Sequence, residues 1–199
     1  MKLPVGCFNY LHLRKRWSQW VAAHEVGVQG ARRVGDQFGE AWVLNNLAIA
    51  YRELRRFDDA RAAFGRALAL RREVGDRVGE GWTLTATAFV DADQKRYADA
   101  AGHLTEALAI FRNVGERHGE GITLANLGDT YRELRRFAES LDSLRRALDI
   151  SHDIDDRHGQ GYTLVKLGRT YRELRRTDDA LESFELALAA RRELKAFQG

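Results

Sequence analysis

Apolar residues recur along the chain in stripes of helical spacing. Leu44, Leu47, Ala48, Tyr51 and Leu54 stand at i, i+3, i+4, i+7 and i+10, one face of a helix. A second stripe follows at once: Ala60, Phe64, Ala67 and Leu68. Between the stripes Asp58 reads as the N-cap of the second helix, because its carboxylate can accept from free backbone N–H groups. Gly75 reads as the stop of that helix, since glycine takes left-handed backbone without a Cβ clash. Asp76 then reads as the cap of the next helix. The polar linkers are only a few residues long, which predicts antiparallel packing of consecutive helices.

The whole pattern returns every 40 residues. Tyr-Arg-Glu-Leu-Arg-Arg stands at 51–56, 131–136 and 171–176, with a degraded copy, Asp-Ala-Asp-Gln-Lys-Arg, at 91–96. A second phrase keeps the period: Gly-Asp-Gln-Phe-Gly-Glu (35–40), Gly-Asp-Arg-Val-Gly-Glu (75–80), Gly-Glu-Arg-His-Gly-Glu (115–120) and Asp-Asp-Arg-His-Gly-Gln (155–160). The units are 36–75, 76–115, 116–155 and 156–195, and the last two share 19 of 40 positions, which composition alone does not explain. Residues 1–35 hold a partial earlier unit, mainly its second helix, because Arg14-Lys15-Arg16-Trp17 aligns with Leu54-Arg55-Arg56-Phe57. Such a period predicts one continuous all-α domain, an α-solenoid of antiparallel helix pairs. Small residues at Ala48, Gly128 and Gly168, and at Ala60, Ala100, Ser140 and Ala180, predict close helix approach. Tyr51, Tyr131, Tyr171, Phe64, Leu104, Leu144 and Phe184 fill the space between. The 76–115 unit departs from the pattern at Thr87, Asp91 and Gln94, which predicts a weaker first helix near 81–96.

Composition adds exclusions. Charged residues make up 31% of the chain, yet the net charge is only +3 and arginines lie beside glutamates rather than in blocks, so nucleic-acid binding is a weak reading. The single proline, Pro4, suits a nearly all-helical chain. Cys7 is the only cysteine, which excludes an internal disulfide and a cysteine-based metal site. No apolar run approaches membrane-spanning length and the N-terminus lacks a signal-peptide core, so a soluble, cytoplasmic protein is expected. His118 and His158 share one register a full repeat apart, as residues of an inter-repeat turn rather than converging metal ligands. There is no nucleophile elbow, paired-carboxylate constellation or phosphate loop, so neither an enzyme nor a cofactor is expected.

Leu127-Gly128, Tyr131, Ser140, Leu144 and Ala147, and more closely Leu167, Gly168, Tyr171, Ala180, Phe184 and Ala187, resemble the tetratricopeptide repeat in its Leu-Gly, Tyr, Ala, Phe and Ala positions. The 40-residue length is similar to the repeats of kinesin light chains, and Leu44-Asn45-Asn46-Leu47-Ala48 looks like their signature phrase. Trp17-Ser-Gln-Trp20, His24 and Ala31–Asp36 resemble the start of the repeat domain in actinobacterial NTPase regulators of the STAND type, although no NTPase motif is present. The resemblance implies a right-handed superhelix with the first helices lining its concave side.

Carried over position by position, the resemblance implies three groove rows. The first is Trp42, Trp82, Ile122 and Tyr162; the second is Asn46, Ala86, Asn126 and Lys166; the third is Arg52, Ala92, Arg132 and Arg172. In the family the middle-row asparagine bonds the backbone of a bound peptide, and the aromatic and arginine rows suit a segment with apolar and acidic residues. The plainer readings are that the arginines pair with glutamates on neighbouring helices and that the tryptophans are partly buried between units. The leading expectation is a non-catalytic module binding a peptide or protein segment, the sensor or scaffold part of a bacterial regulator. The alternative is a homo-oligomerisation module, a homodimer through the C-terminal helix, where Leu181, Phe184 and Leu188 form an uncapped apolar face.

Overall fold

The computed structural model describes residues 17–196, with side chains to Arg192; the expectations for Pro4, Cys7 and Arg14–Arg16 lie outside that range. Among the described residues there are nine helices and no strands. These are α1 (Trp17–Arg33), α2 (Gln37–Glu53), α3 (Phe57–Glu73), α4 (Arg77–Asp93), α5 (Tyr97–Val114), α6 (Arg117–Glu133), α7 (Phe137–Asp153), α8 (Arg157–Glu173) and α9 (Thr177–Ala196). Helices α2, α4, α6 and α8 start 40 residues apart, as do α3, α5, α7 and α9. The fold is an α-solenoid of antiparallel helix pairs. It divides into two compact units, Met1–Asp93 and Gln94–Gly199.

Each repeated phrase turns out to be a joint. In Tyr-Arg-Glu-Leu-Arg-Arg, the fifth residue takes left-handed backbone, with φ of 59° at Arg55, 62° at Arg135 and 59° at Arg175. The sixth donates its backbone N–H to the tyrosine carbonyl, closing a helix end that would otherwise leave free carbonyls. Its guanidinium then lies over the tyrosine ring, 4.4 Å away for Arg56 on Tyr51, 4.5 Å for Arg136 on Tyr131 and 4.7 Å for Arg176 on Tyr171. The same guanidinium pairs with an acid in the first turn of the next helix: Asp59, Glu139 or Asp179. Asp58 is therefore not the N-cap. Helix α3 starts at Phe57, with Arg56 as its cap and Asp58 in its first turn.

The second phrase closes the other joint. The carboxylates of Asp36, Asp76, Glu116 and Asp156 accept from the backbone N–H of the glycine three residues on, capping α2, α4, α6 and α8. A Cβ at Gly39 would stand 2.3 Å from the Asp36 carboxylate, so a larger residue there would have to push the capping side chain aside. The glutamate that ends the phrase is buried and gathers two arginines. Glu40 accepts from Arg32 and Arg66 at 2.7 and 2.8 Å; Glu120 accepts from Arg112 and Arg117 at 3.0 and 2.8 Å. Glu80 takes Arg72 and Arg77 in the same way. The last copy has Gln160, which donates to the Ser151 carbonyl at 3.2 Å.

In the first unit Trp20, Leu44, Leu47, Ala48, Phe64 and Ala67 form the centre of the core, and the Trp20 indole N–H donates to the Asn46 carbonyl at 3.2 Å. In the second unit the close approaches are real. A Cβ at Gly128 would lie 2.6 Å from the Leu144 side chain and 3.0 Å from the Ser140 carbonyl, and one at Gly168 would enter the Phe184 ring. The divergent first helix is not shortened: α4 runs 17 residues like α2. Asp91, where other repeats have tyrosine, is 1% exposed, and the Arg61 guanidinium lies 3.5 Å away. Arg61 itself stands where the other repeats have Ala101, Leu141 and Leu181. The two departures from the pattern answer each other.

Candidate ligand-binding faces

In the first unit the candidate side chains sit on α2 and α4. Trp42 is 48% exposed, a large apolar surface left in water. One turn on, Asn46 is buried, and its amide donates back to the Trp42 carbonyl at 2.8 Å. That bond explains how an asparagine is accommodated inside a helix: its amide serves the helix's own backbone. Trp82 is half-buried. Arg52 is committed to α4, with its Nε 2.6 Å from Asp93 and its guanidinium 5.3 Å from the Phe89 ring centre.

In the second unit α6 and α8 bring four of the expected residues together. The Tyr162 hydroxyl donates to the Asn126 side-chain oxygen at 3.0 Å, and the Lys166 ammonium stands 4.5 Å over the Tyr162 ring. Lys166 also donates to Asp129 at 2.8 Å. Burial alone would raise the Asp129 pKa, but Lys166 and Arg132 outweigh it and hold the carboxyl below its usual range. Arg132 is the hub, reaching Asp129, Glu133 on its own helix and Glu173 at the end of α8. Burial opposes its charge, yet these carboxylates push its pKa above the ordinary arginine value. Arg52 and Arg132 thus pair with acids 41 residues on, the plainer of the two readings for their row. Ile122 is half-buried, while Tyr162 is 43% exposed and Arg172 is exposed with no acidic partner among the described residues.

A cavity of about 520 Å³ opens on the far side of α8, lined by Tyr162, Lys166 and Asp129 together with Arg157, Arg169 and Arg191. These three arginines were not among the sequence candidates. The signal was present in the register, where Arg169 stands in the row of Ile49, Phe89 and Asp129. Among the described residues no group of three or more His, Cys, Asp or Glu converges as metal ligands would. No described helix is long and apolar enough to cross a membrane. These faces carry exposed aromatic surface, buried amides and guanidinium groups.

The family model for the tetratricopeptide repeat matches residues 28–73, 39–113, 82–152 and 119–193. No match among curated proteins is found. Among solved structures, BtubC (BKLC) from P. vanneervenii is similar with a TM-score of 0.80 at 21% identity, covering 89% of this chain and 74% of that one. A Podosopora anserina putative kinesin light chain with nearly identical TPR-like repeats gives 0.76 at 14% identity, covering 94% and 92%. A Rap protein complexed with Competence and Sporulation Factor gives 0.81 at 16% identity, covering 94% of this chain and 52% of that one. At these identities the likeness is one of fold.

Proposed function

The chain belongs to the tetratricopeptide repeat family, a protein-interaction fold, and on that premise we propose that it is a non-catalytic module binding a peptide or protein segment along the faces of its first helices. The observation that carries the proposal is Trp42, whose indole is 48% exposed beside a buried amide. An exposed indole of this size gains by being covered, and a peptide ligand is the occupant that such a face suits. Tyr162 offers the same kind of surface in the second unit. The likeness to a Rap protein complexed with Competence and Sporulation Factor supports the same reading. In this reading the chain is the sensor or scaffold part of a bacterial signal-transducing regulator and works in the cytoplasm.

Self-association through α9 is the second reading, on the 57% and 49% exposure of Leu181 and Leu188. A two-fold pair built there would bring Arg169, Arg191 and Arg192 of both copies into one interface, a concentration of like charge that weighs against it. The test is a peptide-display selection on the whole chain, with the enriched peptides re-measured on Trp42→Ala. A loss of about tenfold or more, with the helical circular dichroism intact, is expected. Enriched peptides that bind Trp42→Ala and Ile122→Ala as tightly as the parent would overturn the assignment.

A further inference from the structure

We propose that the far face of α8 and α9 seats an acidic helix of a partner protein, with a carboxylate at its N-cap and two more ten and seventeen residues further on. The argument starts from the junction one repeat earlier. There, α8 lies against α6 and α7 and meets them through charges at fixed places. Its N-cap Asp156 faces His118 at 3.5 Å. Ten residues on, Lys166 meets Asp129 at 2.8 Å. Seven residues further, Glu173 takes Arg132 and, at 2.8 Å, Arg135. The first unit repeats the last of these contacts, with Arg52 on Asp93 at the end of α4.

Moved forward by one repeat, the same stations are His158, Arg169, Arg172 and Arg175. All four are exposed and all can carry positive charge. None has an acidic partner among the described residues. The station that held a carboxylate, Asp129, is now Arg169, so the sign required of an occupant ten residues past its cap is reversed. The apolar part of the seat is there as well. Leu141 is 9% exposed under α8, whereas Leu181, its counterpart, is 57% exposed.

The charge pattern discriminates among occupants. A second copy of this chain does not fit. Its own first helices have caps at Asp36, Asp76, Glu116 and Asp156, but ten residues on they carry Asn46, Ala86, Asn126 and Lys166. Residues 1–16 do not fit either, since they contain Lys2, Arg14, Lys15 and Arg16 and no acid. A helix-in-groove partner with three spaced carboxylates fits both the sign and the spacing.

The probe is a synthetic helix of about 20 residues, long enough to hold helical structure, with the three acids in place and small or apolar residues on its seating face. Its control has lysine at the second and third stations. Binding to the whole chain is read by fluorescence anisotropy. The acidic helix is expected to bind and the control to fail. Arg169→Glu is expected to weaken the acidic helix about tenfold, and a probe with lysine at the second station alone to recover binding to that variant. Trp42→Ala is expected to leave all of this unchanged, which separates the inference from the reading of the first-helix faces. Equal binding of the two probes, absence of the charge-swap recovery, or a chain that sediments as a dimer not dissociated by the acidic probe would each overturn the proposal.

Discussion

Asp155 occupies the left-handed joint position, with φ of 52°, where the earlier copies of the phrase have Gly35, Gly75 and Gly115. A Cβ there costs steric energy that glycine avoids, and the exposed contact of Asp155 with Arg157 repays little. Asp155→Gly is expected to stabilise the chain by about 0.5–1 kcal/mol, read as a rise in Tm. A second residue-scale prediction concerns His24, buried with its ring stacked on Trp20 and its Nδ1 2.9 Å from the Trp20 carbonyl. Burial lowers its pKa, and the contact with that carbonyl only partly offsets this. The folded state therefore favours the neutral ring. Its stabilisation is full above the ordinary histidine value of about 6.5 and is lost as pH falls below it. Denaturation midpoints are expected to drop between pH 7 and 5.5, and His24→Gln to flatten that slope.

At the scale of the elements, packing overrides propensity. Gly128→Ala would gain about 1 kcal/mol of helix propensity in isolation. The Ser140 carbonyl 3.0 Å from the new Cβ belongs to a helix backbone and cannot step aside. The variant is expected to be less stable by about 1–3 kcal/mol in chemical denaturation. The Arg61–Asp91 pair makes the converse case, in which two pattern-breaking residues on α3 and α4 belong together. A double-mutant cycle, Arg61→Ala with Asp91→Ala, is expected to show coupling of about 0.5–3 kcal/mol, and independent effects would refute it. The helix pairs, their 40-residue spacing and the Asp76 cap were legible in the sequence because they rest on local rules, whereas the joint read at Asp58 was not, because Arg56 closes it through the tyrosine five residues back. The compensation of Asp91 was not, because its partner lies 30 residues away and repeat alignment compares positions rather than contacts. The same gap hid the fate of Asn126 and Lys166, which meet Tyr162 and Asp129 across 36 and 37 residues.

At the scale of the whole molecule, within each unit the helices pack against their near neighbours, so local stability depends on how many neighbours a helix has. Amide protection in hydrogen exchange is expected to be lower in α9, with its exposed leucines, than in α7, which packs between α6 and α8. Equal protection would contradict that ordering. The buried residue that closes an inter-repeat joint also decides how that joint answers to acid. At Glu40 and Glu120 burial alone would raise the carboxyl pKa, but two arginines hold each below its ordinary value, so both joints keep their charge above that value and lose it as pH falls through the lowered one. At Gln160 an amide bonded to the Ser151 carbonyl does the same mechanical work with no proton to gain. Acid is therefore expected to loosen the joints ahead of α2 and α6 by neutralising them, while the amide that closes the joint ahead of α8 keeps its bond at every pH.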